Sequence, residues 1–303
     1  TAISSPAPLA TSHSLTISNL VPSSTYYFHI LAADPYTNVV STNFTTFVTL
    51  PQQINLTLVN PHFSQGSPQE GSMQSNPNNQ NTQYLGLRSG IGGDPYSGKF
   101  RGLLRFDISS IPSTIDLSTF SATLEMKVKS ANGSGFTPMS VHLITSPQMP
   151  GFGNASLGTQ TGESTWIRRA SPAGLWTNCP NNLSSSSAIT QCGAESDFSI
   201  ADGVTAAVPS TVGSTVSWDV TSLVKNWLDN SYPNHGFLIK AQTEAGANSS
   251  TYREFYSNND QSSSPSSNVP KLIIIGQTMG GGPGADVPIF VPISPTANQT
   301  FLQ

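Results

Sequence analysis

The chain has 303 residues, of which 9% are charged, and its formal net charge at pH 7 is −4. Soluble proteins usually carry about 25% charged residues, so the surface of this chain is expected to be polar but nearly uncharged. Because the chain has only 12 Lys and Arg residues, we do not expect a phosphate-neutralising face for nucleic acid. No apolar run reaches the roughly 18 residues of a membrane helix, so the sequence predicts no membrane span.

Residues 1–50 have the pattern of a partial β-domain. Tyr26, Phe28 and Ile30 alternate along one predicted strand and therefore share a face. The stretch "NLVPSSTYYFHILAAD" resembles the leucine–proline turn and tyrosine-corner strand of fibronectin type III domains, with Tyr26 as the corner tyrosine. Only the second half of such a domain is evident, so we expect unpaired strand edges and an apolar face without a covering sheet.

Residues 53–277 form one predicted domain. Many short strands separated by Gly, Pro and Ser turns predict an all-β fold, namely an antiparallel β-sandwich or jelly roll. In this order, the stretches "LLRFDISSIP", "SATLEM", "STWIRR" with "LWT", "WDVTSLVKNW", "HGFLIKA", "REFYS" and "PKLIII" resemble the DNRLRE domain family. The resemblance implies an extracellular module, because the family includes modules of surface proteins and carbohydrate-binding modules, some of them specific for acidic polysaccharides.

One segment of this domain predicts a short helix that is followed by a strand at "FLIKA". Thr221 is the predicted N-cap, because a threonine hydroxyl accepts a hydrogen bond from the free amides of a first turn. A helix of about two turns is unstable alone in water, so we expect it to cap the open end of the sandwich. Its apolar residues recur at helical spacing and are Leu223, Val224, Trp227 and Leu228.

Polar residues beside this helix raise the question of an active site. Nucleophilic catalysis needs a base within hydrogen-bond reach of the nucleophile. Ser217 and His235 lie on opposite sides of the helix, and no nucleophile-elbow pattern surrounds the serine. We therefore predict a structural role for the segment and no catalytic residues, so the chain is not expected to be an enzyme.

The cysteines and the Asn-x-Ser/Thr sequons indicate an extracellular or cell-surface location. Cys179 and Cys192 bracket a polar loop and lack the further ligands of a zinc site. A disulfide between them is the preferred interpretation, and two unpaired thiols are the alternative. Seven sequons are candidates for N-glycosylation, at Asn43, Asn55, Asn132, Asn154, Asn182, Asn248 and Asn298.

Residues 278–303 combine a Gly-rich linker with a β-prone tail. "GGGPGA" is typical of a flexible linker, and the prolines of "DVPIFVPI" confine that segment to an edge or an extended pairing role. An extended segment adds to an open sheet edge through main-chain hydrogen bonds. The tail and the partial domain therefore predict strand sharing, either within one chain or between copies that run on as a filament.

A glycan site would draw on the few basic residues, since guanidinium and ammonium groups pair with the carboxylates of an acidic polymer. The candidates for carbohydrate binding are Arg88, Lys99, Arg101 and Arg168. For the first three, a solvated loop is the alternative interpretation.

Two further arginines and two aspartates have competing interpretations. Arg105 and Arg253 lie within apolar strand motifs, where pairing with Asp107 or Glu254 would serve to hold strands together. No cofactor is predicted. For calcium, the candidate ligands are Asp94 and Asp202, and neither belongs to a spaced acidic motif.

Two functions follow from the sequence. The preferred one is a non-catalytic structural or adhesive subunit of an extracellular assembly or filament, with copies of itself or neighbouring surface domains as partners. The alternative is a carbohydrate-binding module, specific for an acidic polysaccharide, of a larger secreted polysaccharide-degrading enzyme.

Overall fold

The computed structural model describes residues 16–33, 39–59, 62–66, 84–89, 101–148, 174–179, 196–242, 251–256, 268–279 and 289–293. The predicted all-β fold is confirmed, because these residues form mostly antiparallel strands and one short helix. The strands are β1 (Thr25–Ala33), β2 (Val39–Ser41), β3 (Thr45–Val48), β4 (Gln53–Leu58), β5 (His62–Gly66), β6 (Tyr84–Ser89), β7 (Arg101–Arg105), β8 (Ser121–Asn132), β9 (Phe136–Leu143), β10 (Val204–Pro209), β11 (Thr215–Asp219), β12 (Phe237–Ala241), β13 (Thr251–Tyr256), β14 (Lys271–Gln277) and β15 (Ile289–Ile293). The helix, α1 (Thr221–Leu228), follows β11. Within the described part of the chain, no helix is long and apolar enough to cross a membrane.

The chain divides into two compact units. The smaller unit, here called the terminal unit, comprises residues 1–54, 114–118 and 276–303 and therefore joins the predicted partial domain with the tail. The larger unit comprises residues 55–113 and 119–275. A sheet in the order β15-β1-β2, with β3 also paired to β1, lies in the terminal unit.

The larger unit is built on a five-stranded and a six-stranded sheet. Their orders are β10-β9-β12-β7-β5 and β4-β14-β8-β13-β6, and β11 pairs with β8. Along β8, buried Leu124 and Met126 alternate with half-buried Glu125 and Lys127. This period of two places one side of the strand in the core. Trp218 connects the sheets, since its ring N–H donates to the Met139 carbonyl at 3.1 Å.

Helix α1 buries the predicted apolar stripe but begins differently from the prediction. Leu223, Val224 and Trp227 are buried. The prediction that Thr221 is the N-cap is wrong: Val220 is the N-cap, and its own side chain makes no capping bond. The Thr221 hydroxyl instead accepts from the Ala122 N–H of β8 at 2.9 Å, which ties the helix start to the sheet.

Asp219 supplies the acceptor that the first turn of α1 would otherwise lack. The Thr221 N–H donates to Asp219 Oδ1 at 3.0 Å. Hydrogen bonds from the side chain and the backbone of Thr221 lower the pKa of Asp219. The sequence prediction named Thr221 as the acceptor at the helix start and did not identify Asp219 in this role.

Arg253 is fully buried in the larger unit. Its guanidinium donates to the carbonyls of Asn132 and Gly135, both at 2.8 Å, and to that of Val208 at 3.3 Å. Burial lowers the pKa of Arg253. The three main-chain acceptors connect this arginine to the β8–β9 turn and the end of β10. The predicted pairing of Arg253 with a carboxylate stays a prediction.

We expect Arg253→Met to lower the free energy of unfolding of the larger unit by about 2–4 kcal/mol, because buried carbonyls would lose their donors. Urea unfolding followed by tryptophan fluorescence measures this unit, since all four tryptophans lie between residues 166 and 227. Lys271→Met, at a half-buried cation of β14, is the control and should change the unfolding free energy by less than about 0.5 kcal/mol. Equal effects of the two substitutions would show that the Arg253 bonds do not stabilise the unit.

Candidate functional site

The tail strand β15 pairs with β1 in the terminal unit. The pairing is parallel and runs over five residues, from Phe28 opposite Ile289 to Ala32 opposite Ile293. The sequence predicted that the apolar tail would add to the partial domain, and within one chain it does. The parallel direction and the register had no signal in the sequence.

The opposite edge of β1 is covered by β2 and β3. Both strands pair antiparallel with β1, β3 with its first half and β2 with its second half. Between them, Thr42 makes two bonds to Ile30: its N–H donates to the Ile30 carbonyl at 2.9 Å, and its hydroxyl accepts from the Ile30 N–H at 2.9 Å. β1 is therefore the central strand, and β15 occupies an edge that would otherwise be open.

Aromatic side chains cluster on one face of this sheet. The Tyr26 and Phe47 rings stack with centroids 5.6 Å apart, and Phe28 lies 6.0 Å from Phe47. The Tyr26 hydroxyl accepts from the Val21 N–H at 2.7 Å, the backward bond expected of a corner tyrosine. None of the three rings is fully buried, so the face that would be the core of a sandwich keeps contact with solvent.

Exposed apolar side chains are concentrated in the terminal unit. Of thirteen large hydrophobic residues exposed in the described chain, seven lie between residues 21 and 50. Val48 is 65% exposed and Leu50 is 85% exposed. The four strands of the sheet contain no Asp, Glu, Lys or Arg. Large exposed apolar patches mark interaction sites in soluble proteins, and this concentration of exposed apolar residues makes the sheet and its loops the candidate site.

His29 was not among the residues that the sequence predicted to belong to a functional site. It is 8% exposed and its ring centroid lies 4.8 Å from that of Phe44. A single histidine within an apolar strand gives no sequence signal that separates a buried from an exposed position. In the register, His29 lies opposite Phe290 of the tail strand.

Of the four predicted carbohydrate-binding residues, Arg101 is the one whose side chain the structure describes. Lys99 and Arg168 lie outside the described residues, as does the side chain of Arg88, whose backbone pairs with Tyr252 in β13. Arg101 is 3% exposed, and its guanidinium carbon lies 5.8 Å from the centre of the Phe198 ring. Such burial leaves Arg101 little surface for a polymer, and the glycan site stays a prediction.

The calcium and cysteine predictions also fall partly outside the described residues. Asp94 and Cys192 are not described, whereas Asp202 accepts from the Ser199 hydroxyl at 2.7 Å. In the described ranges, no three His, Cys, Asp or Glu side chains are grouped as metal ligands. Cys179 is 7% exposed and is not a free thiol, and its pairing with Cys192 stays a prediction.

The sequons are described in part. Asn43, Asn55 and Asn132 are exposed, which glycosylation requires. The other four candidates, Asn154, Asn182, Asn248 and Asn298, lie outside the described residues. Their occupancy stays a prediction.

The larger unit contains a serine–histidine contact that the sequence did not indicate. His142 Nε2 lies 2.8 Å from Ser140 Oγ, and His142 Nδ1 lies 2.8 Å from the Ser199 carbonyl. Both side chains are buried, and a Cβ on Gly203 would overlap the His142 ring. Because Ser140 and His142 are both buried, a substrate could not reach this serine in the observed fold. The contact is best explained as internal packing.

His235 has a structural contact as well. Its Nδ1 lies 2.9 Å from the Ser146 carbonyl, whereas Ser217 lies exposed on β11. The prediction of a structural role for this segment is consistent with these positions, and the absence of catalysis stays a prediction.

No protein-family profile matches the chain, and none of the curated proteins is significantly similar to it. The resemblances to DNRLRE and fibronectin type III domains therefore stay interpretations of the sequence. The geometry of the terminal unit is therefore the basis for a proposed function.

We expect Tyr26→Phe to increase amide exchange around Val21 and along β1, because the Val21 N–H loses its acceptor. A bond of this kind contributes about 0.5–1.5 kcal/mol, so exchange that proceeds by local opening should accelerate roughly 2- to 12-fold. Hydrogen exchange with mass spectrometry on peptides that cover residues 16–33 measures this. Tyr27→Phe, on the other face of β1, is the matched control, and equal acceleration by both substitutions would exclude a role for the corner bond.

Proposed function

We propose that the protein is a non-catalytic structural or adhesive component of an extracellular or cell-surface assembly, and that its copies join by strand sharing. In the proposed contact, the tail strand β15 of one copy pairs with β1 of the next copy. The pairing of β15 with β1 within one chain carries this proposal. It defines a donor strand, an acceptor edge and a register that a second copy would reproduce.

The exchange between copies needs no new interface. Domain swapping replaces a contact within one chain by the same contact between two chains, so both arrangements have nearly the same contact energy. The donor and the acceptor lie on different parts of the chain, and the contact is therefore head-to-tail. Such contacts run on as a filament unless their rotation closes a ring.

Concentration decides between the two arrangements. Nine residues, 280–288, separate β15 from Met279, which is the last residue of the described range 268–279. A short tether gives its own tail an effective concentration in the millimolar range. Assembly is therefore favoured where copies are crowded or held side by side on a surface, and a diluted chain is expected to keep its own tail.

The uncharged surface supports an adhesive role. Residues 1–54 contain one charged residue, Asp34, and residues 278–303 contain one, Asp286. Charged residues normally protect strand edges against unwanted pairing. A domain that stays monomeric would be expected to carry such charges at its strand edges. The scarcity of charged residues here supports a surface that pairs with another strand.

The alternative function, a carbohydrate-binding module for an acidic polysaccharide, has less support. Of its four proposed contact residues, Arg101 is the one whose side chain is described, and it is buried. We retain the alternative as a prediction from the sequence, together with N-glycosylation at the sequons.

Complementation between two disabled variants tests strand sharing. Deleting residues 284–303 removes the tail strand and leaves β1 free to accept another. Ile30→Asp keeps the tail strand but introduces a charge into β1, so that this β1 accepts no tail. We expect concentrated full-length protein to form filaments or oligomers by light scattering and electron microscopy, each variant alone to stay monomeric, and their mixture to form 1:1 dimers.

Tryptophan emission verifies that the larger unit of both variants is folded. If the deletion variant assembles as the full-length chain does, or if the full-length chain stays monomeric at millimolar concentration, strand sharing between copies is wrong. A mixture that fails to dimerise while the full-length chain assembles would assign the assembly to another surface.

A disulfide between Cys179 and Cys192 belongs to the same proposal, because it fits an oxidising compartment. The burial of Cys179 without a free thiol supports it. We expect non-reducing peptide mapping of the native protein to recover the two cysteines in one cross-linked peptide pair. Recovery of both as alkylated thiols would contradict the disulfide and weaken the extracellular assignment.

A further inference from the structure

The hydrogen bonds of Ile30 determine which backbone groups of β1 face the tail strand. Both the N–H and the C=O of Ile30 bond to Thr42, on the β2–β3 side. In an extended strand, the N–H and C=O of one residue point to the same side and those of the next residue to the opposite side. His29 and Leu31 therefore direct their N–H and C=O groups toward β15.

This orientation fixes the direction of Pro292. Leu31 lies opposite Pro292 in the parallel register, and a residue in a parallel ladder bonds to the two neighbours of its opposite residue. Leu31 therefore bonds to Val291 and Ile293. The nitrogen of Pro292 faces away from β1, so the missing N–H costs the β1–β15 ladder no bond.

The same orientation leaves the outer edge of β15 nearly without donors. Of the residues in β15, Phe290 and Pro292 face outward, and only Phe290 has an N–H. A further strand that pairs at this edge would leave an acceptor without a donor at Pro292. Among the strands that the structure describes, β15 is terminal in the sheet order, so this edge is the one that a further strand would approach.

The other edge of the sheet is protected by its shape. β2 and β3 are three and four residues long, and residues 42–44, which belong to no strand, separate them. Short edge strands and prolines are both known protections against edge-to-edge pairing, as are charges. Since none of the four strands carries a charge, the proline and the split strand must supply the protection here.

We propose that Pro292 ends the sheet of the terminal unit, so that β1 accepts one extended apolar segment, its own tail or that of a second copy, and no further strand adds. The second copy as donor rests on the proposed function, whereas closure by Pro292 applies equally when the tail is the chain's own. Pro292 is thus a specificity-determining residue that restricts assembly to one donor for each acceptor.

Pro292→Val in the full-length chain tests this. Valine restores an outward N–H and raises β propensity, so lateral association by β15 edges should begin at a concentration roughly fivefold lower than in the wild type, the effect of about one net hydrogen bond. Thioflavin T fluorescence and light scattering measure it. Pro295→Val, two residues beyond β15, is the matched control and should behave as the wild type.

Hydrogen exchange along β1 distinguishes the outcomes. In Pro292→Val the β1 amides should stay protected, whereas Val291→Pro, which removes an inward N–H, should expose them. Protected β1 amides without increased lateral association would overturn the proposal, and so would exposed β1 amides in Pro292→Val. Pro292→Val could associate more readily while the deletion variant and Ile30→Asp fail to form dimers. That result would contradict strand sharing between copies but leave the closure by Pro292 intact.

Discussion

The open edge of β1 is the constraint on which the terminal unit depends. A central strand has backbone donors and acceptors on both sides, and a sheet that leaves one side unpaired invites another strand. In this chain β2 and β3 satisfy one side of β1, and the distant tail strand β15 satisfies the other. Because β15 is distant from β1 in the sequence, its pairing is the contact that a second copy would replace in the proposed assembly.

The larger unit satisfies its backbone groups in another way. Its two sheets share an apolar core, and the irregular backbone at the β8–β9 turn is held from within by the buried guanidinium of Arg253. These bonds connect segments that are more than one hundred residues apart in sequence. The sheet of the terminal unit, in contrast, leaves aromatic rings only half-buried. In the proposed assembly, the association of copies therefore belongs to the terminal unit.

The sequence predicted the parts of this structure that depend on short-range patterns. The period-two alternation of β8 and the helical spacing of Leu223, Val224 and Trp227 identified their buried faces, because burial of one face repeats with the geometry of the element. The Tyr26 corner followed from a local motif with a backward bond of five residues. The N-cap prediction for Thr221 was wrong, because Asp219 and Thr221 are equally good acceptors by residue type. In the fold, the Ala122 N–H of β8 lies near Thr221 and bonds to its hydroxyl.

The sequence could not predict features that depend on residues distant in the chain. The parallel register of β15 joins positions about 260 apart, and a short apolar strand with no charge offers nothing that distinguishes one register from its neighbours. The burial of Arg101 and His29 likewise depends on partners that only the fold brings near. The glycan-site prediction took the scarcity of cations as a sign of function, but a cation in a chain of low charge is equally available as a structural donor, as Arg253 demonstrates.

Low charge also explains why proline is well suited to the tail. A lysine at an outward position of β15 would protect the edge, but it would carry its charge into any contact where a second copy packs beside the sheet, and an unpaired charge is costly to bury. Proline removes the donor while keeping the side chain apolar. It blocks pairing on one edge of the strand and permits it on the other, because alternate residues face opposite edges. A segment that pairs with one strand alone needs this asymmetry, and in the proposed closure Pro292 supplies it on the outer edge of β15.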